Sequence, residues 1–446
     1  MATYWCEMAW LGGPTATAGV LIGVEGEAIV SVQMAADCPP GAVRLAGLTL
    51  PGLANAHSHA FHRALRGRTQ AGAGSFWTWR EQMYSLARTL DPDSYYQLAR
   101  AVYGEMALAG ITCVGEFHYL HHGAGGARYG DANAMSAALV AAAGEAGIRI
   151  TLLDTCYLQG GFGVPPSEVQ RRFSDGTAAA WVDRVDAAID TFVGTGVMVG
   201  AAIHSVRAVD VAGMRAVAEW AHRRRVPLHA HVSEQQLENE QCIATHGLTP
   251  TALLAEQGVL GADFTAVHAT HLSGVDVGML GNARSTICMC PTTERDLADG
   301  IGAASALAAA GAALSLGSDS HAVIDLFEEA RGVELDERLA TNVRGHHSVP
   351  GLLRAATGDG HRSIGWARAG TLSVGAIADL VSVRLDSVRT AGTTLDDALG
   401  MAVFAASASD VHHVVVSGKV IVRDGRHERF DVARALADAL AATRVG

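Results

Sequence analysis

Residues 52–68 read GLANAHSHAFHRALRGR: an apolar run that stops on His57 and His59, with His62 following as the chain turns basic. A short apolar run opened by Gly predicts a buried strand. Residues i and i+2 of a strand face the same way, so His57 and His59 emerge side by side at its C-terminal end. His62 falls past that end. The same pattern recurs downstream. GITCVGEFH ends on His118, IRITLLDTCYL follows, GVMVGAAIHS reaches His204, and VPLHAHVSE carries His229, His231 and Glu234. FTAVHATHL then carries His268, STICMCP follows, and AALSLGSDS ends the series with Asp319. Helical segments such as DPDSYYQLARAVYGEMALAG and DVAGMRAVAEWAHRRR lie between the runs, each opened by a capping Asp. Eight strand–helix units with near-continuous apolar strands predict a closed (β/α)8 TIM-like barrel, of class α/β, over residues 48–365. The alternative is an open doubly wound sheet, but no Gly-rich phosphate fingerprint supports it.

The flanks have another texture. Residues 1–47 and 366–446 hold short alternating segments with turns, such as AGVLIGVEGEAIVSV and VHHVVVSGKVIVRDG. They predict one small β-sandwich domain built from both chain ends. With 446 residues, 49% of them apolar, the chain has ample material for such a core. A net charge of −12 argues against nucleic-acid or anionic-membrane partners and leaves any anionic substrate dependent on locally placed arginines. Lys419 is the sole lysine beside 32 arginines. Seven scattered cysteines suggest no disulfide framework, and the N-terminal residues lack the pattern of a signal peptide. The longest uncharged run is glycine-interrupted and reads as a buried helix feeding a strand. These features predict a cytoplasmic protein.

Polar residues concentrate at the strand ends, the face on which such barrels build active sites. Imidazoles suit Zn²⁺, and a catalytic zinc takes three or four protein ligands with a position left open. His57, His59, His231 and Asp319 can supply that set from three strands. Glu234 lies three residues after His231, where a carboxylate can shuttle protons in metal-assisted hydrolysis. A lone H-x-H is a weak signal, but its coincidence with HAHVSE and GSDS is a strong one. Cys288 and Cys290 form a C-x-C in an apolar strand and read as core thiols.

NAHSHAF, HAHVSEQ, VHATHL and LGSDSH resemble the metal-site motifs of the amidohydrolase superfamily, and more narrowly those of the formimidoylglutamate deiminase family. SFWTWREQMY, GEFHYLHH and HSVRAV extend the resemblance over nearly the whole chain. It implies one Zn²⁺ per subunit on His57, His59, His231 and Asp319, although His/Asp sites also accept Fe²⁺, Mn²⁺ or Co²⁺. It further implies catalytic roles for Glu234, His268 and Asp319, and a small dicarboxylate substrate held by Arg80, Arg207, Tyr119 and His204. A homodimer is the implied assembly. Two-metal relatives bridge their ions with a carboxylated lysine; Lys419 lies beyond the last barrel strand, which leaves Glu116 as the other candidate bridge and favours a mononuclear site. Relatives often carry Gln where this chain has His62, which can still hydrogen-bond substrate as a neutral imidazole. His121 and His122 read as loop residues, His271 and His321 as supports behind the site, and His229 as a residue orienting a ligand. A guanine-like or other heterocyclic amidine is the alternative substrate. A barrel that has lost activity is disfavoured, because the ligands and Glu234 are all present.

Overall fold

The computed structural model describes residues 2–70, 73–192 and 196–443. Eight strands lie side by side in chain order, all parallel: Leu53–Ser58, Ile111–His118, Arg149–Cys156, Met198–Ile203, Leu228–Val232, Phe264–His268, Thr286–Met289 and Ala313–Leu316. Every apolar run anticipated from sequence contributes one of them. Their near-complete burial explains why they read as continuous apolar runs rather than alternating ones: the interior fills one face and helices cover the other. The barrel closes at one parallel bridge, Ser58 opposite Asp319. There the amide of His59 donates to the Asp319 carbonyl at 3.2 Å, and the amide of Asp319 donates to the His57 carbonyl at 3.0 Å.

The two quoted helical segments form Pro92–Leu108 and Val211–Arg224. Asp91 caps the first by accepting from the Ser94 amide at 2.8 Å, and Asp210 caps the second by accepting from the Gly213 amide at 2.7 Å. Arg225 ends the latter in the left-handed conformation (φ 56°).

The chain ends build one continuous eight-stranded sheet. In it Val43–Pro51 pairs in parallel with Ala2–Ala9 and antiparallel with Leu380–Val383, which joins the two ends. The sheet has its own core of Tyr4, Cys6, Val20, Ile22, Leu45, Leu380 and Val415. Two details depart from the expected boundaries. Val43–Pro51 belongs wholly to this sheet, so the expected boundary at 47/48 falls inside a strand; the chain changes sheets at Gly52. The helix Val432–Ala442 packs on the barrel helix Pro92–Leu108, with Phe430 and Val432 against Gly104. Beneath the barrel, Arg149 pairs with buried Asp379 and ties the third barrel strand to the small sheet. Among the described residues no helix is long and apolar enough to cross a membrane.

Candidate active site

The strand ends converge as the period-two argument requires. His57 Nε2 and His59 Nε2 each lie 3.4 Å from Asp319 Oδ1, and His231 Nε2 lies 3.1 Å from His57 Nε2. Donor separations near 3.3 Å are what a tetrahedral ion with bonds of about 2.0–2.1 Å requires. The supporting contacts fix the tautomers. His59 Nδ1 faces the Phe117 carbonyl at 3.0 Å, and His231 Nδ1 faces the His204 carbonyl at 2.8 Å. Each Nδ1–H therefore donates to backbone, and each Nε2 lone pair points at the shared centre. Burial pulls the pKa of His57, His59 and His231 below the ordinary imidazole value, so they stand neutral. Burial would raise the Asp319 pKa, but the contact with His57 and the charge of neighbouring His268 outweigh it and keep the carboxylate ionised. His57 groups with His59 and Asp319 on one side and with His231 and His268 on the other, the ligand atoms of each trio lying within 4.8 Å of one another, and such a set of imidazoles with a carboxylate fits a divalent ion.

Beside this centre His268 Nε2 lies 3.7 Å from Asp319 Oδ2 and 3.8 Å from Glu234 Oε1. Burial opposes a charge on His268, but Glu234, Glu294 and Asp319 together raise its pKa well above the imidazole range. Burial pushes Glu234 up to about 7, with the His268 charge opposing the shift. A carboxyl poised near neutrality can take and return a proton at working pH.

One pocket is lined by His59, His62, Arg80, Tyr119, His204, Arg207, His231, Glu234, His268 and Asp319, and His57 meets it through an edge-on ring contact with His59 at 4.7 Å. All the residues singled out from sequence as site residues therefore meet. His62 shares a 2.8 Å hydrogen bond with the Tyr119 hydroxyl, burial holds its pKa down at about 3, and it belongs to neither group of donors around His57. Arg80 stacks on Trp77 and Tyr84 at 4.5 and 5.5 Å, and its Nε is buried without a hydrogen-bond partner.

Other histidines take different places. His229 Nε2 bonds the Ser363 carbonyl at 2.9 Å, two residues before His231 on the same strand. His121 and His122 sit in the expected loop but are buried, bonding the Thr155 carbonyl and Asp175. His321 lies between Ser58 and Ser318, behind the seam. Cys288 and Cys290 pack in an apolar cluster with Ala54, Cys113 and Val267, although Cys290 also lies near His268 and Glu294. Both Glu116 oxygens are taken, by Ser58 Oγ at 2.6 Å and the Ala60 amide at 2.7 Å, so it faces away from the centre.

Sequence reasoning missed the acids behind the site. Glu238, fully buried, accepts from Arg207 Nε at 2.6 Å and from the Ser233 amide at 3.1 Å. Glu294 faces His268 Nδ1 at 3.3 Å and accepts from the Cys290 amide at 2.9 Å. It also missed a backbone feature: Ser233, His268, Ala269, Asp319 and His321 all hold positive φ, between 43° and 67°. Such conformations cost about 1–2 kcal/mol each and cluster where strand ends must re-aim side chains.

Comparison with known proteins places the whole chain. Residues 48–421 match the model of the Amidohydrolase family. A formimidoylglutamate deiminase of Pseudomonas aeruginosa is 37% identical over 400 residues, 87% of each chain. An 8-oxoguanine deaminase of the same species is 29% identical, over 87% of this chain and 85% of the relative. The crystal structure of an amidohydrolase from Brucella melitensis superposes with a TM-score of 0.92 at 33% identity, covering 99% of this chain and 100% of that one. With a family match over most of its length and a relative 37% identical over 87% of the chain, the chain belongs to the amidohydrolase family.

Proposed function

We propose that this protein hydrolyses the C–N bond of N-formimino-L-glutamate, giving N-formyl-L-glutamate and ammonia, with one Zn²⁺ per subunit on His57, His59, His231 and Asp319. The observation that carries the substrate is the arginine pair in the wall of the pocket. Glu238 engages only Nε of Arg207, leaving its two Nη groups for a ligand, and Arg80 is held by aromatic faces rather than by a carboxylate. Two guanidinium groups beside a hydrolytic centre suit a dicarboxylate. The likeness to the Pseudomonas deiminase supports the same assignment. A neutral heterocycle, as in the 8-oxoguanine deaminase, would leave both arginines without an anion.

When bound, zinc supplies the Lewis acidity that makes water a nucleophile near neutral pH. The residues of the chain do the rest. Water adds to the formimino carbon and loses one proton to Asp319 while Glu234 protonates the terminal nitrogen; the tetrahedral species then passes its hydroxyl proton through Glu234 to that nitrogen, the C–N bond breaks, ammonia departs, and the proton held by Asp319 restores Glu234. The positive His268 faces the oxygen that gains charge in the tetrahedral species. Tyr119, His62 and His204 line the path between the arginines and this centre and orient the glutamate chain.

A coupled assay for ammonia release tests the assignment, with guanine and N-carbamoyl-glutamate as comparisons. Turnover restricted to the formimino compound is expected; none by zinc-loaded protein rejects the substrate. Glu234→Gln should lower kcat by about 10²–10⁴-fold with metal content unchanged by elemental analysis. Loss of zinc would reassign Glu234 as a ligand.

A further inference from the structure

A second cluster of metal-binding side chains lies on the small sheet, outside the barrel pocket. Adjacent residues of a strand normally point to opposite faces. In Val411–Val416, however, the ladder pairs Ser382 with His413 and Val383 with Val411, so His412 is an inserted, bulged residue. The bulge turns the neighbouring imidazoles toward one another, with ring centroids 4.8 Å apart. Opposite them, Asp424 and Gly425 join Lys419–Arg423 to Arg426–His427 through a tight turn with φ of 52° and 71°, the left-handed pair of a type I′ hairpin. The Gly425 amide donates to the His412 carbonyl at 2.9 Å, clipping the turn against the bulge.

This arrangement sets Asp424 Oδ1 3.2 Å from His412 Nε2 and 3.8 Å from His413 Nε2, and one ligand atom from each of the three residues lies within 4.8 Å of the others. The nearby cations are otherwise engaged: Arg423 pairs with Glu428 at 3.4 Å and Arg384 with Asp386 at 2.8 Å. Among the described residues the ion-pair partners of Asp424 are the two imidazoles alone.

We propose that His412, His413 and Asp424 form a second site for a divalent transition metal of the zinc class. Two imidazoles and one carboxylate select Zn²⁺, Co²⁺ or Ni²⁺ over Mg²⁺ and Ca²⁺, which want more oxygen ligands. Three donors, with exposed Asp424 on the solvent side, leave positions to water, so this ion exchanges more freely than one in the barrel. The proposal stands whether or not the substrate assignment does.

Isothermal titration of the full-length protein, already carrying one equivalent of zinc, with further Zn²⁺ alone tests it. The wild type should bind one more, weaker equivalent. Asp424→Asn should weaken that equivalent at least tenfold while keeping the fold, because Asn also tolerates a left-handed turn. His412→Ala should do the same, and in both variants the first equivalent and the hydrolase activity should stay unchanged. Cobalt absorption bands that appear with the second equivalent and vanish in the variants give an independent readout. No second equivalent up to millimolar zinc, or one that persists unchanged in Asp424→Asn and His412→Ala, overturns the proposal.

Discussion

Glu238 shows why part of the site was unreadable in the sequence. His57, His59, His231, Glu234 and Asp319 announce themselves because each interrupts or closes an apolar run, and polar groups are not placed there for packing. Glu238 lies in the first turn of the following helix, where an acid is ordinary. Its meaning comes from Arg207, 31 residues away in sequence, which folding brings to 2.6 Å. Its second oxygen holds the Ser233 amide, so one carboxylate fixes both the arginine and the loop that presents Glu234. Hydrogen bonds to charged groups are worth about 1.5–3 kcal/mol. Glu238→Gln should therefore raise KM for N-formimino-L-glutamate, the proposed substrate, by about tenfold or more, with a smaller change in kcat. A kcat loss with constant KM in steady-state kinetics would contradict this positioning role.

The barrel strands were legible because a strand buried on both faces must be apolar throughout, whereas most end-sheet strands mix buried with exposed or half-buried positions. The joint between the two sheets was not. LTLPGLANA is one apolar run but two strands in different sheets, and apolarity carries no label for which sheet a residue enters. Gly52 marks the change. A Cβ there would lie 2.3 Å from Thr112 Oγ1 and 2.7 Å from the Asp379 Cβ, so the two sheets meet too closely for any side chain. Gly52→Ala should cost about 1–3 kcal/mol, as overpacking does, visible as a lower denaturant midpoint. An unchanged midpoint would mean that this junction gives way easily. The same limit explains the second cluster of donors: a bulge that makes His412 and His413 neighbours leaves no trace in HHVVV.

The small sheet and the barrel share a buried ion pair, Arg149 with Asp379. Burial alone would raise the Asp379 pKa, but the Arg149 charge and its hydrogen bonds hold it below the usual carboxylate value. A depressed folded-state pKa stabilises fully above the unfolded value of about 3.9, and the contribution is lost as pH falls through the folded value. Arg149→Met should cost about 3–5 kcal/mol near neutrality. It should also reverse the sign: stranded Asp379 would then favour its proton, and stability should decline as pH rises from about 4. Chemical unfolding across pH checks both. The bridge between Ser58 and Asp319 bears on how the molecule is made. The ring closes where the first and eighth strands meet, and that meeting is held by the backbone of His57, His59 and Asp319, the same residues whose side chains form the donor centre. A ribosome emitting this chain releases two of the donors early and the last only after the rest of the barrel has emerged. The centre therefore cannot be complete until that junction forms, and an ion held there would act as a clasp on the ring. Chelation should accordingly speed deuterium uptake first at residues 57–59 and 317–319, before strands on the far side; uniform uptake around the ring would show that closure and ion capture are separate events.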